Sequence, residues 1–200
     1  MKKKELIIAT TNQGKLREIK ELLMELNLNI TSLKDYPKAP EIIEDGQTFA
    51  QNAFKKASII SAYTKKMTIG EDSGIEIEAL GNEPGIYSAR FSGSNATDAK
   101  NNQKMLRSLR GLPSKERGAR YRCAVSIVNS SQEMASLSGV CSGSITEKAR
   151  GENGFGYDPY FLIARYQKTF GELDPCVKSR ISHRARAFKK VKKVLIDYFQ

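Results

Sequence analysis

The sequence predicts an α/β fold built on a mixed β-sheet, and three observations lead to this prediction. Strand, loop and helix patterns follow one another in the first thirty residues, which indicates a crossover connection. Alternating apolar residues in two neighbouring segments farther along indicate a hairpin of antiparallel strands. The chain has 200 residues, 40% of them hydrophobic, which is enough for about one domain with its own core.

The first thirty residues predict a strand, a loop and a helix in that order. Residues 6–9 are apolar and suit a short buried strand, whereas residues 10–14 are the hydroxyl, amide and glycine residues typical of a turn. An apolar face that begins at Leu16 predicts the helix. A second strand is expected at residues 30–33.

The next segment predicts a helix followed by two strands that an acidic turn joins. Thr48 can cap this helix, in which Asn52 and Lys56 lie one turn apart. Residues 67–69 predict a central strand that runs into a turn at residues 71–74, and alternating apolar residues predict another strand after the turn. The carboxylates of the turn are therefore expected at a strand end.

The second half of the chain predicts a helix, a hairpin, a glycine-rich loop, another strand and a C-terminal helix. Asn129, Ser130 and Ser131 supply the turn of the hairpin. The expected segments are helix 98–109, strands 121–127 and 137–145, loop 151–159, strand 160–163 and a helix after Ser182.

The net charge of +11 lies entirely in the second half of the chain. Residues 1–100 contain 14 basic and 14 acidic side chains, whereas residues 101–200 contain 19 and 8. Residues 178–193 carry eight basic residues and no acidic one, a pattern also found in nucleic-acid-binding proteins. Apolar residues that recur from Phe188 to Tyr198 favour another interpretation, an amphipathic helix whose lysines face water.

The cysteine and histidine content limits the kinds of site that this chain can form. Three cysteines without a C-x-x-C pair predict neither a disulfide framework nor a thiolate metal site, so we expect buried thiols. His183 is the only histidine, which excludes any site that needs two imidazoles. A metal ion would therefore bind oxygen ligands.

No membrane span and no signal peptide are predicted. The longest apolar runs have four residues, far fewer than the roughly 20 that cross a bilayer. The apolar stretch after the N-terminal lysines ends at Thr10, too early for a signal peptide. We expect a cytoplasmic protein that does not contact a membrane.

The segment between the first strand and helix offers several groups to one anion. It combines hydroxyls, backbone N–H groups, a helix N-terminus and an ammonium, all of which suit a phosphate. It is not a Walker A loop, because Ala9 and Leu16 stand where a glycine and a hydroxyl residue belong. A purely structural turn is the alternative. The candidate residues are Thr10, Thr11, Asn12, Gln13, Gly14 and Lys15.

Carboxylates near the acidic turn indicate a candidate metal site. Asp72, its neighbour Glu71 and the more distant Glu44 could together hold Mg²⁺, although acidic turns are more often simply solvated. The same half of the chain also carries the anion-binding loop and Lys56, and its net charge is zero. This set of groups is what a Mg²⁺-bound polyphosphate requires.

Two segments of the second half carry groups suited to a nucleobase. Residues 155–158 lie in a loop where an aromatic ring can stack on a base and a carboxylate can accept its N–H, but a tight turn with buried aromatic residues is the alternative. Basic residues in the first turn of the C-terminal helix oppose the helix dipole, which an electron-rich ligand atom or solvent exposure would offset. The candidates are Phe155, Gly156, Tyr157, Asp158, His183 and Arg184.

Taken in order, these motifs closely resemble the inosine triphosphate pyrophosphatase family over nearly the whole chain. The matching segments are ATTNQGK with Glu18, EDGQTF followed by NA and KA, EDSGI, PGIYSARF, GFGYDP, and Lys178 followed by SHR. The resemblance implies an elongated mixed sheet flanked by helices, in two lobes with a nucleotide cleft between them. It also implies that residues 1–200 form a single pyrophosphatase domain.

The resemblance further implies an activity and its requirements. Members of this family hydrolyse the non-standard purine nucleotides ITP, dITP and XTP to the nucleoside monophosphate and pyrophosphate, which cleans the nucleotide pool. A Mg²⁺ cofactor and a homodimer are implied as well. We expect no stable complex with nucleic acid.

The same similarity implies roles for individual residues. Glu44 and Asp72 would hold the metal ion, and Asp72 would also act as the general base. Ser73 would lie against the substrate. The triphosphate would contact the loop residues, chiefly Thr10, Asn12 and Lys15, together with Lys56, and the base would contact Phe155, Asp158, Lys178, His183 and Arg184.

Two alternative functions remain open at this level. A nucleic-acid-binding module would explain the basic second half, but it assigns no purpose to Glu44 and Asp72. A Maf-like nucleotide pyrophosphatase, with a related architecture and another base preference, is the nearer alternative.

Overall fold

The computed structural model describes residues 3–130 and 132–199, and over this part of the chain it contains a seven-stranded sheet and five α-helices. The helices are α1 (Gln13–Leu22), α2 (Phe49–Thr64), α3 (Asp98–Ser108), α4 (Pro175–Ile181) and α5 (His183–Phe199). The strands are β1 (Lys4–Ile8), β2 (Leu28–Ser32), β3 (Thr68–Ile77), β4 (Gly118–Asn129), β5 (Gln132–Ile145), β6 (Phe161–Ile163) and β7 (Lys168–Thr169).

The strands lie in the order β2-β1-β3-β4-β5-β6-β7, and both kinds of pairing occur. Strand β1 pairs in parallel with β2 and with β3, so that Ile7 lies opposite Thr31 and Thr68. Strand β6 pairs antiparallel with β5 and with β7. The prediction of an α/β fold with a mixed sheet is confirmed.

The chain divides into two compact units. Unit 1 comprises Met1–Asp72, Cys123–Gly139 and Arg184–Gln200, and unit 2 comprises Ser73–Arg122 and Val140–His183. The divisions fall inside β3, β4, β5 and α5, so the chain passes from one unit to the other within regular elements.

The core of unit 1 is built on the alternation of β1. Leu6 and Ile8 pack in a cluster with the apolar faces of α1 and α5, whereas Ile7 packs in a second cluster with Ile60 of α2. Because successive side chains of a strand point to opposite faces, this alternation requires helices on both faces of β1.

Helix α5 confirms the amphipathic pattern with one correction. Phe188, Val191 and Leu195 are fully buried, but Tyr198 remains 47% exposed and does not extend the apolar face. Of the four lysines predicted to face water, Lys189, Lys190 and Lys193 are exposed, whereas Lys192 is half-buried and pairs with Glu25 at 2.8 Å. Solvation therefore explains three of these four lysines.

The core of unit 2 is rich in aromatic residues. Tyr121, Phe161 and Phe170 pack against one another with ring centroids 4.6 to 6.0 Å apart. Apolar residues of α3 and of the buried end of β3 complete the cluster. This core fixes β4, β6 and β7 within the unit.

Three sequence expectations need correction. Residues 71–74 form no turn, because β3 continues from Thr68 to Ile77, so the acidic residues lie in the middle of a buried strand. Helix α4 was not predicted, since seven residues are too few to show a periodic pattern. Cys176 is exposed, although the buried state predicted for cysteines holds for Cys123 and Cys141. The proposed hairpin turn includes Ser131, which lies outside the described residues.

None of the helices in the described ranges combines the length and the apolar character that a membrane span requires.

Candidate active site

The loop after β1 uses several of its own polar groups to begin α1. The side chain of Asn12 caps the helix by accepting the backbone N–H of Lys15 at 3.0 Å, and the N–H of Asn12 donates to Thr10 Oγ1 at 3.1 Å. Gln13 donates its side-chain amide to the carbonyl of Thr11 at 3.0 Å. These hydrogen bonds within the segment agree with the alternative that it is a structural turn. Gly14 lies in the first turn of the helix.

Lys56 of α2 joins the two carboxylates that the resemblance assigns to metal binding. Its Nζ atom lies 3.0 Å from Glu44 Oε2 and 2.9 Å from Asp72 Oδ1. The side chains of Lys56 and Asp72 are each 7% exposed, whereas that of Glu44 is 35% exposed. The ammonium of Lys56 therefore holds both carboxylates close together, and Glu44 is the carboxylate that solvent reaches more easily.

Asn52 completes this arrangement from the preceding turn of α2. Its Nδ2 atom donates to Asp72 Oδ2 at 3.3 Å, and its Oδ1 atom accepts the backbone N–H of Gly46 at 2.8 Å. Thr48 caps the helix with Gln51 in a capping box, as its sequence position predicted. Asn52 thus connects the loop that carries Glu44 with the strand that carries Asp72.

A second buried carboxylate, Glu71, contacts two cations. Its Oε2 atom lies 2.9 Å from Lys15 Nζ, and its Oε1 atom lies 3.0 Å from an Nη atom of Arg184. The thiol of Cys123 approaches the same Oε1 atom at 3.4 Å. The side chain of Glu71 is fully buried, so its charge is balanced by neighbouring cations rather than by water.

The other Nη atom of Arg184 donates to the carboxylate of Glu18 in α1. Its side chain is only 2% exposed, although it stands in the first turn of α5. A positive charge at a helix N-terminus opposes the helix dipole, so the sequence predicted that a compensating group would be needed. Glu18 and Glu71 provide this compensation for Arg184. Arg186 also lies near this helix N-terminus, but it is exposed, so water compensates its charge.

The pKa values of the carboxyl groups follow from burial and from these cations. For Glu71, burial raises the pKa, but Arg184 and Lys15 outweigh it, and the pKa lies well below the ordinary value. For Asp72, burial dominates the attraction of Lys56 and raises the pKa. For Glu44, burial also raises the pKa, but Lys56 more than offsets it and the net pKa is lowered. Asp72 is therefore the most basic carboxylate of the three relative to its ordinary value.

The donor set fits a hard divalent cation that a phosphate would help to bind. Within the described ranges no group of three or more His, Cys, Asp or Glu side chains is arranged to hold a metal ion. Mg²⁺ is commonly bound through one or two carboxylates, with waters and substrate phosphates as its other ligands. The pair of Glu44 and Asp72 has that composition.

In unit 2, Lys178 and Asp158 form a buried ion pair beside aromatic rings. Lys178 Nζ lies 2.6 Å from Asp158 Oδ2, and its distances to the ring centroids of Phe155 and Phe170 are 5.1 and 5.5 Å. The ammonium therefore also contacts two aromatic faces, an arrangement that stabilises a buried cation. Phe155 is half-buried, whereas Phe170 is fully buried.

The loop that carries Phe155 is shaped by its own hydrogen bonds. Asp158 Oδ2 accepts the backbone N–H of Phe155 at 2.8 Å, and the backbone N–H of Gly156 donates to Asp98 at 2.8 Å. Gly154 has a φ of 80°, and a Cβ atom there would lie 2.0 Å from Asp158 Oδ2. Glycine is required at this position for both reasons.

Tyr157 has a structural role in the same loop. It is 5% exposed and donates its hydroxyl to the carbonyl of Ser88 at 2.8 Å. Burial raises its pKa, so the hydroxyl remains protonated and can keep donating. The alternative of a tight turn with buried aromatic residues therefore holds for Tyr157.

The remaining candidates of unit 2 are His183 and Ser73. The imidazole of His183 is stacked on the ring of Tyr121, with centroids 4.6 Å apart and an interplanar angle of 11°. Its side chain is buried, and the orientation of the ring is set by this stacking. Ser73 is half-buried on β3, directly after Asp72.

The structure thus brings the charged candidates and Phe155 into two clusters, one in each unit. The cluster of unit 1 contains Lys15, Glu44, Lys56, Asp72 and Arg184 together with their partners Glu18 and Glu71, and that of unit 2 contains Phe155, Asp158 and Lys178. Sequence reasoning missed Asn52 as a partner of Asp72 and Glu18 as a partner of Arg184, and it did not see that Glu71 bridges two cations. The spacing of Asn52 and Lys56 was the one signal that pointed to this arrangement.

Comparison of this chain with known protein families and solved structures identifies the class of protein to which the fold and these clusters belong. Residues 6–194 match the model of the Ham1 family, and the chain belongs to that family. A solved structure of a HAM1 protein from Coxiella burnetii has a TM-score of 0.88 and 37% identity, over 97% of this chain and 99% of the other.

Particular relatives carry a more specific name. The chain is 46% identical over 192 residues to a dITP/XTP pyrophosphatase of Bacillus licheniformis, which covers 96% of this chain and 98% of the relative. It is 44% identical over 191 residues to a dITP/XTP pyrophosphatase of Shouchella clausii, with 96% of each chain covered. The recognition of this family from sequence motifs is confirmed.

Proposed function

We propose that this protein is a nucleoside triphosphate pyrophosphatase that hydrolyses ITP, dITP and XTP to the nucleoside monophosphate and pyrophosphate. Relatives that match over nearly their whole length are named dITP/XTP pyrophosphatase. The observation within the chain that carries the proposal is the pair of carboxylates, Glu44 and Asp72, held by the single ammonium of Lys56. The comparisons do not favour a nucleic-acid-binding module or a Maf-like enzyme.

The charges of the unit 1 cluster support a requirement for a divalent cation. Its ion pairs involve three cations, Lys15, Lys56 and Arg184, and four carboxylates, Glu18, Glu44, Glu71 and Asp72. A cluster with an excess of negative charge repels a triphosphate. Mg²⁺ bound by Glu44 and Asp72 would supply the missing positive charge and polarise the phosphoryl oxygens.

The side chains of the cluster suit hydrolysis without a covalent intermediate. Asp72 would orient and deprotonate water, a role that its raised pKa favours. Lys15 and Lys56 would neutralise phosphate oxygens as negative charge moves to the leaving pyrophosphate. Thr10, Asn12 and their neighbours in the loop would line the same phosphates.

We assign the base to the donors of Lys178 and Arg184, with the ring of Phe155 available for stacking. Hypoxanthine and xanthine carry a keto oxygen at position 6, which only accepts hydrogen bonds, and both basic side chains only donate. Adenine presents an amino group there, which places a hydrogen-bond donor against these donors. Asp158, His183 and Ser73 would complete the contacts to the nucleoside.

Three further properties belong to the same proposal. We expect residues 1–200 to act as a single pyrophosphatase domain, the cofactor to be Mg²⁺, and the active protein to be a homodimer in the cytoplasm. Sedimentation equilibrium measures the oligomeric state. A mass of one chain across the working concentration range would contradict the dimer without affecting the assigned reaction.

A substrate panel tests the assigned reaction directly. ITP, dITP, XTP, GTP and ATP are incubated with the protein and Mg²⁺, and both pyrophosphate and single phosphate are measured. We expect pyrophosphate as the product, the highest kcat/KM for ITP, dITP and XTP, and no turnover in the presence of a chelator. Release of single phosphate, or a preference for GTP or ATP, would contradict the proposal.

A further inference from the structure

Glu71 is the most completely enclosed charged group of the cluster in unit 1. Its side chain is fully buried, and each of its two oxygens contacts a different cation, Lys15 at 2.9 Å and Arg184 at 3.0 Å. Neither the metal site nor the water-activating step uses Glu71.

The two cations that Glu71 contacts come from distant parts of the chain. Lys15 lies in the first turn of α1, and Arg184 lies at the start of α5. They carry different tasks in the proposed reaction, since Lys15 binds phosphate and Arg184 reads the base. One buried side chain on β3 therefore contacts both the proposed phosphate-binding group and the proposed base-reading group.

We propose that Glu71 is a positioning residue that holds Lys15 and Arg184 with one carboxylate, so that its loss impairs phosphate binding and base selection together. The inference rests on the proposed function. A guanidinium and an ammonium that are already oriented need not lose further side-chain freedom when a nucleotide binds.

The main experiment replaces Glu71 with glutamine, which keeps the shape of the side chain and removes its charge. In Glu71→Gln the amide can accept from only one of the two cations, and the other faces an NH₂ donor. We expect KM to rise about tenfold for every nucleotide, and the ratio of kcat/KM for ITP to that for ATP to fall about tenfold. A variant that was merely less well folded would lower kcat equally for all nucleotides and would leave both KM and this ratio unchanged.

Single replacements of the two cations separate the two effects. Lys15→Ala should raise KM for every nucleotide without changing the ITP-to-ATP ratio, and Arg184→Ala should change the ratio. In the double variant Lys15→Ala with Glu71→Gln, the second change should add no further rise in KM but should still lower the ratio, because residues that act through one contact are not additive. Full additivity of the KM effects would overturn the assignment.

Two other variants act as controls. Glu76 of unit 2 also contacts two cations, Arg120 and Arg122, and its side chain is 13% exposed. Glu76→Gln should leave KM and the ITP-to-ATP ratio unchanged. Glu71→Asp keeps the charge but is one methylene shorter, so it should show the same two changes to a smaller extent, and it serves if Glu71→Gln does not fold.

A binding measurement distinguishes failure of this inference from failure of the proposed function. Calorimetry with inosine and adenosine monophosphates, in metal-free buffer, should show that Glu71→Gln lowers the preference for the inosine nucleotide. If the wild-type protein hydrolyses no nucleotide of the panel, the proposed function is wrong. If the wild type is active and Glu71→Gln changes only one of KM and the ITP-to-ATP ratio, or neither, the inference is wrong.

Discussion

Charged side chains that have lost nearly all contact with water are the main feature at the scale of single residues. Lys56, Glu71 and Arg184 are each less than one tenth exposed, and each contacts groups of opposite charge. Removal of one partner of such a pair leaves a buried charge uncompensated, which typically costs about 3–5 kcal/mol. An alanine variant in the cluster therefore needs a measurement of stability beside that of activity, whereas the least disturbing variant keeps the shape of the side chain and changes only its charge.

Asp72→Asn is such a variant, because it keeps the shape of the side chain while removing the proposed base and one metal-binding charge. We expect kcat for ITP to fall by about 10² to 10⁴ with the fold intact. Steady-state kinetics and circular dichroism check the two parts. Asp45→Asn is the control, since Asp45 is exposed and pairs with Lys55, and its activity should be normal. Near-normal turnover in a folded Asp72→Asn protein would contradict the assigned mechanism.

Arg184→Ala tests which group reads the keto oxygen of the base. We expect kcat/KM for ITP to fall much more than that for ATP, so that their ratio narrows by about tenfold or more, whereas the ITP-to-GTP ratio changes little because guanine shares the keto oxygen. The three nucleotides are compared under the same conditions. An unchanged ITP-to-ATP ratio would show that Arg184 only pairs with Glu18 and Glu71.

At the scale of elements, the close approach of β3 and α2 positions the carboxylates of the cluster. Gly70 on β3 faces the helix backbone, and a Cβ atom there would lie 1.9 Å from the carbonyl oxygen of Ala53 and 2.7 Å from the nitrogen of Ala57. Only glycine lets the strand pack this near to the helix. The distance in turn allows Asn52 and Lys56 to reach Asp72 from α2.

Gly70→Ala should therefore damage stability and activity together. The added methyl group must push the helix and strand apart, which typically costs about 1–3 kcal/mol of unfolding free energy, and occasionally more. We expect kcat to fall as Lys56 and Asp72 separate. Urea unfolding and steady-state kinetics are the measurements. Ala50→Ser, which adds one atom on the exposed face of α2, should change neither quantity appreciably, and equal behaviour of the two variants would refute the packing argument.

At the scale of the whole molecule, the positive net charge is less informative than its distribution. Three of the four lysines of α5 are exposed, while the cations that bear on the proposed chemistry are paired with buried carboxylates. The net charge of +11 therefore carries little information about function. The buried carboxylates, in contrast, make stability depend on pH.

We expect stability to decrease in mild acid, with Glu71 as a main contributor. Its pKa is lowered in the folded state, so its contribution is fully present above the unfolded pKa, near 4.3, and is lost as pH falls through the lower folded value. The raised pKa of Asp72 acts in the opposite direction. Unfolding free energies in urea at pH 7 and pH 3.5 measure the loss, which should be smaller in Glu71→Gln than in the wild type.

A surface carboxylate provides the comparison for this pH dependence. Glu41 is exposed, and Glu41→Gln should retain the same loss of stability between pH 7 and pH 3.5 as the wild type. If Glu71→Gln also retained the full loss, the buried ion pairs of Glu71 would not be its source.

Local patterns in the sequence were sufficient for much of the fold and for the identity of most candidate residues. The apolar face of α1, the cap at Thr48 and the stripe of α5 each depend on residues within a few positions of one another, and each is confirmed except at Tyr198. The ordered motifs identified the family because they preserve residue types at given spacings, a property that does not depend on folding.

Other features were decided only when distant segments came together. The acidic residues after Ile69 resemble a turn by composition, but they form a continuous strand because Lys15, Lys56 and Arg184 balance their charge inside the protein. Glu71 and Arg184 are 113 residues apart in the chain, and no local pattern relates them. The sequence by itself determined which groups are available for chemistry. Their ion pairing, burial and pKa values depend on distances between remote residues, which only the tertiary structure sets.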